Sequence, residues 1–170
     1  MASLHTFKAF DRVNHFRLYA SLMNRNVPAA FLNILINWHS ITTVIMRWNN
    51  SLSDVVLRLR SGVRQGGVLS PYLFNVYAND FINSIVASGT GCHIKQVCMA
   101  CVMYADDLLL LSASLAGLQE LLDICVSTSA DLCLKFNEKS QCMVIGPHHY
   151  DYLAHVTLSS TTLIWTSSIK

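Results

Sequence analysis

Residues 97–111 form an apolar run broken only in its middle, where Tyr104-Ala105-Asp106-Asp107 sets two carboxylates side by side. Such a run is too short, and too acidic at its centre, to cross a bilayer, which takes roughly 18 to 20 apolar residues. It reads instead as two buried strands, 97–103 and 108–111, folded into a hairpin with acid at the tip. Adjacent carboxylates repel each other, and apolar walls favour their neutral forms. A compensating cation is therefore expected. Mg2+ is the natural candidate, because it takes carboxylate oxygens and substrate phosphates together and often uses only one or two protein carboxylates. On this segment alone, a solvated Asp-rich turn is the competing reading.

The chain is 170 residues long, 52% hydrophobic and 13% charged, with three prolines, so 1–170 reads as one folded domain. A mean hydropathy of +0.38 implies a deep interior or an apolar face that expects more protein. Twelve Lys+Arg against ten Asp+Glu leave only +2, too little for overall charge to point to nucleic acid. The basic residues concentrate locally, at Arg47, Arg58, Arg60 and Arg64, relieved only by Asp54; this is a solvated face or a polyanion contact. Met1-Ala2-Ser3-Leu4-His5 lacks the basic start and apolar core of a secretion signal. An intracellular protein, nuclear or cytoplasmic, not secreted and not membrane-inserted, is expected. The six cysteines lack the dense spacing of a disulfide scaffold and read as core thiols. Cys98 and Cys101 have zinc-knuckle spacing beside His93 but no second ligand pair.

Residues 15–26 carry Phe16, Tyr19, Ala20 and Met23 at the i, i+3, i+4, i+7 spacing of an amphipathic helix. Pro28 suits the first turn of a second helix, 29 to about 38, with Phe31, Leu32, Leu35 and Ile36 on one face, packed beside the first. Thr43-Val44-Ile45 and Val55-Val56-Leu57, separated by Asn49-Asn50-Ser51, read as a β-hairpin. Gly62, Gly66 and Gly67 punctuate an irregular loop, after which Ser70-Pro71 reads as the N-cap and first residue of a helix to about Val86. Residues 117–130 read as a helix through Leu118, Leu121, Leu122 and Cys125, and 143–145 and 156–158 as short strands.

Four segments together resemble a known family. Tyr104-Ala105-Asp106-Asp107 resembles the tyrosine-x-Asp-Asp box of reverse transcriptases. Lys8-Ala9-Phe10-Asp11-Arg12-Val13-Asn14-His15 looks like the first palm motif of non-LTR retrotransposon enzymes. The stretch Ser61-Gly62-Val63-Arg64-Gln65-Gly66-Gly67-Val68-Leu69-Ser70-Pro71, continuing to Asp80, looks like the second. Leu134-Lys135-Phe136-Asn137 with Lys139-Ser140 resembles the fourth. The likeness runs over roughly 4–146, in family order, and is closest to LINE-like or jockey-like elements.

The resemblance implies an α+β fold, a right-hand polymerase palm with an antiparallel sheet and helices packed on one face. It also implies template-directed DNA synthesis on an RNA or DNA template-primer from dNTPs, by two-metal phosphoryl transfer with ions about 3.5 to 4 Å apart. In the matched positions Asp106 and Asp107 would be the catalytic, metal-holding carboxylates. Phe10 would crowd the sugar 2′-carbon and favour deoxynucleotides; on the residues alone it reads equally as a core aromatic. Gln65 and Lys139 would meet the nucleotide, although Gln65, like Gly66, also reads as an ordinary loop residue and Lys139 as a solvated lysine. Arg58, Arg60, Arg64 and Gly66 would meet nucleic acid, the arginines making binding salt-dependent and the glycine permitting close approach.

One position departs from the family. The first palm motif normally opens with an aspartate three residues before its Lys-Ala-Phe-Asp, and that place holds His5. Asp11 cannot stand in, because six residues of strand span roughly 20 Å at about 3.3 Å each. Histidine is a poor ligand for Mg2+, which prefers hard oxygen donors, though it could hold softer Mn2+ or Zn2+. A polymerase with little or no activity is therefore expected, using Mg2+, or possible Mn2+, only if activity remains. Its partners would be fingers and thumb segments, incomplete in this chain, or a partner chain that supplies them. The alternative is a non-catalytic retroelement remnant or nucleic-acid-binding module.

Overall fold

The structure is a computed structural model that describes residues 1–137, 139–146 and 155–168. Around the acidic turn the chain follows its hydrophobic pattern: β6 (Cys101–Tyr104) and β7 (Asp107–Leu110) pair antiparallel, from Tyr104 opposite Asp107 to Cys101 opposite Leu110. Strand β1 (Ala2–His5) lies on the other side of β7, with Ala2 opposite Leu110 and His5 opposite Asp107. Beyond β1 come β8 (Gln141–Cys142) and β11 (Ile164–Trp165), giving the order β11-β8-β1-β7-β6. Ala2, Leu4, Leu108 and Leu110 are all buried, as a strand paired on both edges and covered on its face requires.

This sheet belongs to a unit formed by Met1–Ala9 and Ala78–Lys170. Helix α4 (Leu115–Asp131) starts at Ser114, whose side chain accepts from the Gly117 amide, and buries Leu118, Leu121, Leu122 and Cys125, the apolar stripe read from the sequence. Two small hairpins complete the unit, β4 (His93–Ile94) with β5 (Val97–Cys98), and β9 (Thr157–Leu158) with β10 (Thr161–Thr162).

The second unit is Phe10–Tyr77. It opens with a 3-10 turn, Phe10–Arg12, followed by α1 (His15–Asn24), α2 (Ala29–Ile41) and the hairpin β2 (Thr43–Trp48) with β3 (Ser51–Arg58). Asn14 caps α1 by accepting from the Phe16 and Arg17 amides. Helix α3 (Ser70–Ala87) begins in this unit, burying Leu73, Phe74 and Tyr77, and ends in the other, burying Ala78, Phe81 and Ile85.

Several expectations need correction. The sheet is not wholly antiparallel, because β11 runs parallel to β8; the fold is mixed α/β with four α-helices among the described residues. Strand 97–103 is split at Met99–Ala100, and the edge strand β6 leaves Val102 and Tyr104 exposed. Residues 143–145 form no strand; pairing with β1 occurs two residues earlier, at 141–142. Helix α1 buries Leu18, Ser21 and Leu22, while Phe16 and Met23 are exposed, so the true inward stripe lies beside the one that spacing picked out. In α2 only Leu32 and Leu35 are buried. Ser70 lies within α3 and spends its hydroxyl on the Arg64 carbonyl, not on a cap. Cys125 and Cys142 are core thiols, but Cys133 is exposed. Among the described residues, no helix is long and apolar enough to cross a membrane.

Leu110 is fully buried on β7 beneath two neighbouring strands. Leu110→Ala is expected to cost about 2–5 kcal/mol through lost burial and a residual cavity, read as a lower urea midpoint at unchanged slope.

Candidate functional site

The turn at Ala105–Asp106 takes its shape from backbone geometry and one buried threonine. Ala105 adopts φ 52°, the left-handed conformation that lets a tight turn close. Thr6 is buried, and both its amide (3.0 Å) and its hydroxyl (2.7 Å) donate to the Asp106 carbonyl. The Asp106 and Asp107 side chains are left exposed at the tip.

Opposite Asp107, in register, stands His5, with Nδ1 2.5 Å from Asp107 Oδ1. The side chains are 29% and 58% exposed. A carboxylate can only accept, so Nδ1 carries the hydrogen. The fourth motif segment lies against the same end of β1: the Asn137 amide donates to the His5 carbonyl (2.9 Å), the Phe7 amide to the Lys135 carbonyl (2.6 Å), and Thr6 bridges Phe136. Lys139 is exposed there, its amide bound to Asn137 Oδ1. Thus the box, the start of the first motif and the fourth motif converge within one unit.

The remaining predicted residues belong to the Phe10–Tyr77 unit. The Phe10 ring stacks on buried Phe74, with centroids 4.6 Å apart and planes at 17°. The second-motif loop is stitched to the end of the first motif. The Gly62 amide donates to the Val13 carbonyl and the Val63 amide to the Phe10 carbonyl, both at 2.8 Å. Gln65 Nε2 donates to Asp11 Oδ1 at 3.1 Å. Gly62 has φ +89°, and a Cβ there would lie 2.8 Å from the Asp11 carbonyl oxygen. Gly66, at φ +77°, has nothing within 4 Å of a hypothetical Cβ, so its backbone is open to approach. Arg58 ends β3, and Arg60 and Arg64 follow it, all exposed.

Sequence reasoning missed the supports. His15 Nε2 donates to the Gly62 carbonyl at 2.7 Å. The His15 ring stacks on His39 at 4.2 Å, and the Tyr19 hydroxyl sits 2.7 Å from His39 Nδ1. Burial, then the neighbouring His15, push His39 down to about 4. No spacing signal joins positions 15 and 39, because they meet through the packing of two helices. Thr6 was equally silent, and Asn137 was read only as part of the fourth motif, since both act as clamps across distant segments.

Residues 1–157 match the family described as reverse transcriptase (RNA-dependent DNA polymerase). The chain belongs to this family. Among its relatives is the retrovirus-related Pol polyprotein of the type-2 retrotransposable element R2DM of Drosophila melanogaster, 29% identical over 146 residues, which are 86% of this chain and 14% of the relative. A second is the Pol polyprotein of the type-1 element R2 of Popillia japonica, 31% identical over 112 residues, 65% of this chain and 16% of the relative. A third is the uncharacterized 149 kDa protein of transposon TX1 of Xenopus laevis, 29% identical over 154 residues, 89% of this chain and 12% of the relative. The chain spans less than a fifth of the length of these relatives. The likeness read from the four motif segments, to a reverse transcriptase domain of LINE-like elements, is borne out.

Reverse transcriptases generally work with divalent metal. The donor set here does not fit a pair of Mg2+ ions, which take oxygen ligands. The position opposite Asp107 offers an imidazole, and that imidazole already occupies a carboxylate oxygen. Among the described residues, no three His, Cys, Asp or Glu side chains are grouped to hold a metal ion.

Two outcomes test the second-motif framework. Gly62→Ala is expected to destabilise the protein by about 1–3 kcal/mol, since positive φ and backbone contact act together, measured by chemical denaturation. His39 binds a proton near 6.5 when unfolded but resists until about 4 when folded, so acidification through that window favours unfolding. His39→Gln is expected to flatten the fall in stability between pH 6.5 and 4. Parallel profiles for the two proteins would remove His39 from the account.

Proposed function

We infer that this chain is a polymerase palm that retains a framework for template-primer and nucleotide while having lost the metal chemistry of DNA synthesis. The observation that carries this reading is the cross-strand pair of His5 and Asp107, 2.5 Å between Nδ1 and Oδ1, at the place where the resemblance implies a third carboxylate. Asp106 and Asp107 keep the two carboxylates of the box. With an imidazole as third donor, the two-ion arrangement for activating a primer hydroxyl and stabilising a leaving pyrophosphate lacks its hard oxygen ligand.

The binding roles are supported by exposure and placement. Arg58, Arg60 and Arg64 are exposed, and together would attract a phosphate backbone with salt-dependent affinity. Gly66 leaves room for close backbone approach. Phe10, held flat on Phe74, fits a rigid wall beside a deoxyribose, and Gln65 and Lys139 are exposed for nucleotide contact. This favours nucleic-acid binding without incorporation.

Primer extension on a poly-A template, with Mg2+ and then Mn2+, separates binding from chemistry. The chain as it stands is compared with His5→Asp, each grafted between a related enzyme's fingers and thumb. Only His5→Asp is expected to extend the primer. Equal extension by the His5 version would show that the site needs no carboxylate at position 5.

A further inference from the structure

Gln65 is exposed in a loop without regular secondary structure, a setting in which a side-chain amide ordinarily samples both faces. Three features remove that freedom. The loop backbone is pinned at Gly62 and Val63 to the Val13 and Phe10 carbonyls, each at 2.8 Å. The Ser61 hydroxyl donates to the Asp11 carbonyl at 3.2 Å, and His15 Nε2 holds the Gly62 carbonyl at 2.7 Å. Finally, the Asp11 carboxylate receives Gln65 Nε2 at 3.1 Å.

The last contact has a chemical consequence. A carboxylate accepts and cannot donate, so it admits only the NH2 end of the glutamine amide. Gln65 Oε1 is thereby directed away from Asp11 as an acceptor. We propose that Asp11 is a positioning residue that fixes the Gln65 amide, so that its carbonyl oxygen is presented to a hydrogen-bond donor on the bound nucleotide, either a sugar hydroxyl or a base amino group. The same segment carries Phe10, whose ring is locked on Phe74, so one short turn sets both the aromatic wall and the amide. This rests on reading the second-motif loop as a nucleotide contact.

The test uses the whole chain with a template-primer duplex and measures competitive binding of dATP, dideoxy-ATP and deoxyinosine triphosphate. These nucleotides differ in the sugar hydroxyl or the base amino group. The wild type is expected to prefer dATP over whichever analogue lacks the donor by about 3- to 10-fold, the worth of one neutral hydrogen bond. Asp11→Asn, whose amide can turn either way, and Asp11→Ala are expected to erase that preference with the thermal midpoint little changed. The exchange Asp11→Asn with Gln65→Glu restores an outward acceptor, because the new amide donates to one carboxylate oxygen and leaves the other free; preference should return. A preference unchanged by either Asp11 variant, or not recovered by the exchange, overturns the proposal.

A wild-type chain that binds no nucleotide defeats the reading of the loop and, with it, the role in presenting an acceptor to ligand. The Gln65 side-chain amide protons, followed by NMR without ligand, then decide whether Asp11 orients the amide. A deshielded, exchange-protected Gln65 Nε2 proton that moves to the free-amide position in Asp11→Ala supports the orientation, and identical spectra refute it.

Discussion

The site depends on the register of β1 against β7. Ala2 and Leu4 share a face with Leu110 and Leu108, and all four are buried. Because strand side chains alternate, a slip of one residue would turn Ser3 and His5 into that apolar layer and expose the leucines. Burial therefore locks the pairing, and the pairing places His5 opposite Asp107. Thr6 and Asn137 then fasten the strand's end to the Asp106 carbonyl and to the fourth motif. Position 5 thus lies beside the acidic box because four small and branched apolar residues fit one way.

The second unit solves a different problem, that of holding an irregular loop without regular pairing. A glycine does so by allowing backbone to approach backbone: Gly62 sits where any Cβ would collide with Asp11. The stacked imidazoles of His15 and His39 brace the same loop from the helices. With His39 held neutral by burial, that brace requires no buried charge.

How far the sequence disclosed this varied with the physics of each element. Helix α4 and the acidic hairpin were legible, because each presents a strong apolar period bounded by a cap or a turn. The inward face of α1 was not, because Phe16, Tyr19 and Met23 match the helical period as well as Leu18 and Leu22 do. Only packing decides between stripes one residue apart. Two-residue strands such as β8 and β11 carry too little pattern to be seen, and their pairing, parallel in one case, is set by the long-range arrangement. The motif residues themselves were legible through family likeness. Their supports at Thr6, Asp11, His15 and His39 act through one or two hydrogen bonds or ring contacts between distant positions, which leave no periodicity behind.

His5 gives the acidic tip a partner drawn from the neighbouring strand. Neighbouring carboxylates at an apolar tip repel, and a bound cation is one remedy. A hydrogen-bond donor from the neighbouring strand is another, and the His5 imidazole N–H directed at Asp107 supplies it. In the proposed reading, the same imidazole stands where the resemblance implies an oxygen donor, so one residue both engages Asp107 and withholds a ligand that Mg2+ would favour. The register of β1 and the clamps at Thr6 and Asn137 do not use the side chain at position 5, so the proposed reading, framework kept and metal chemistry lost, asks nothing further of the fold.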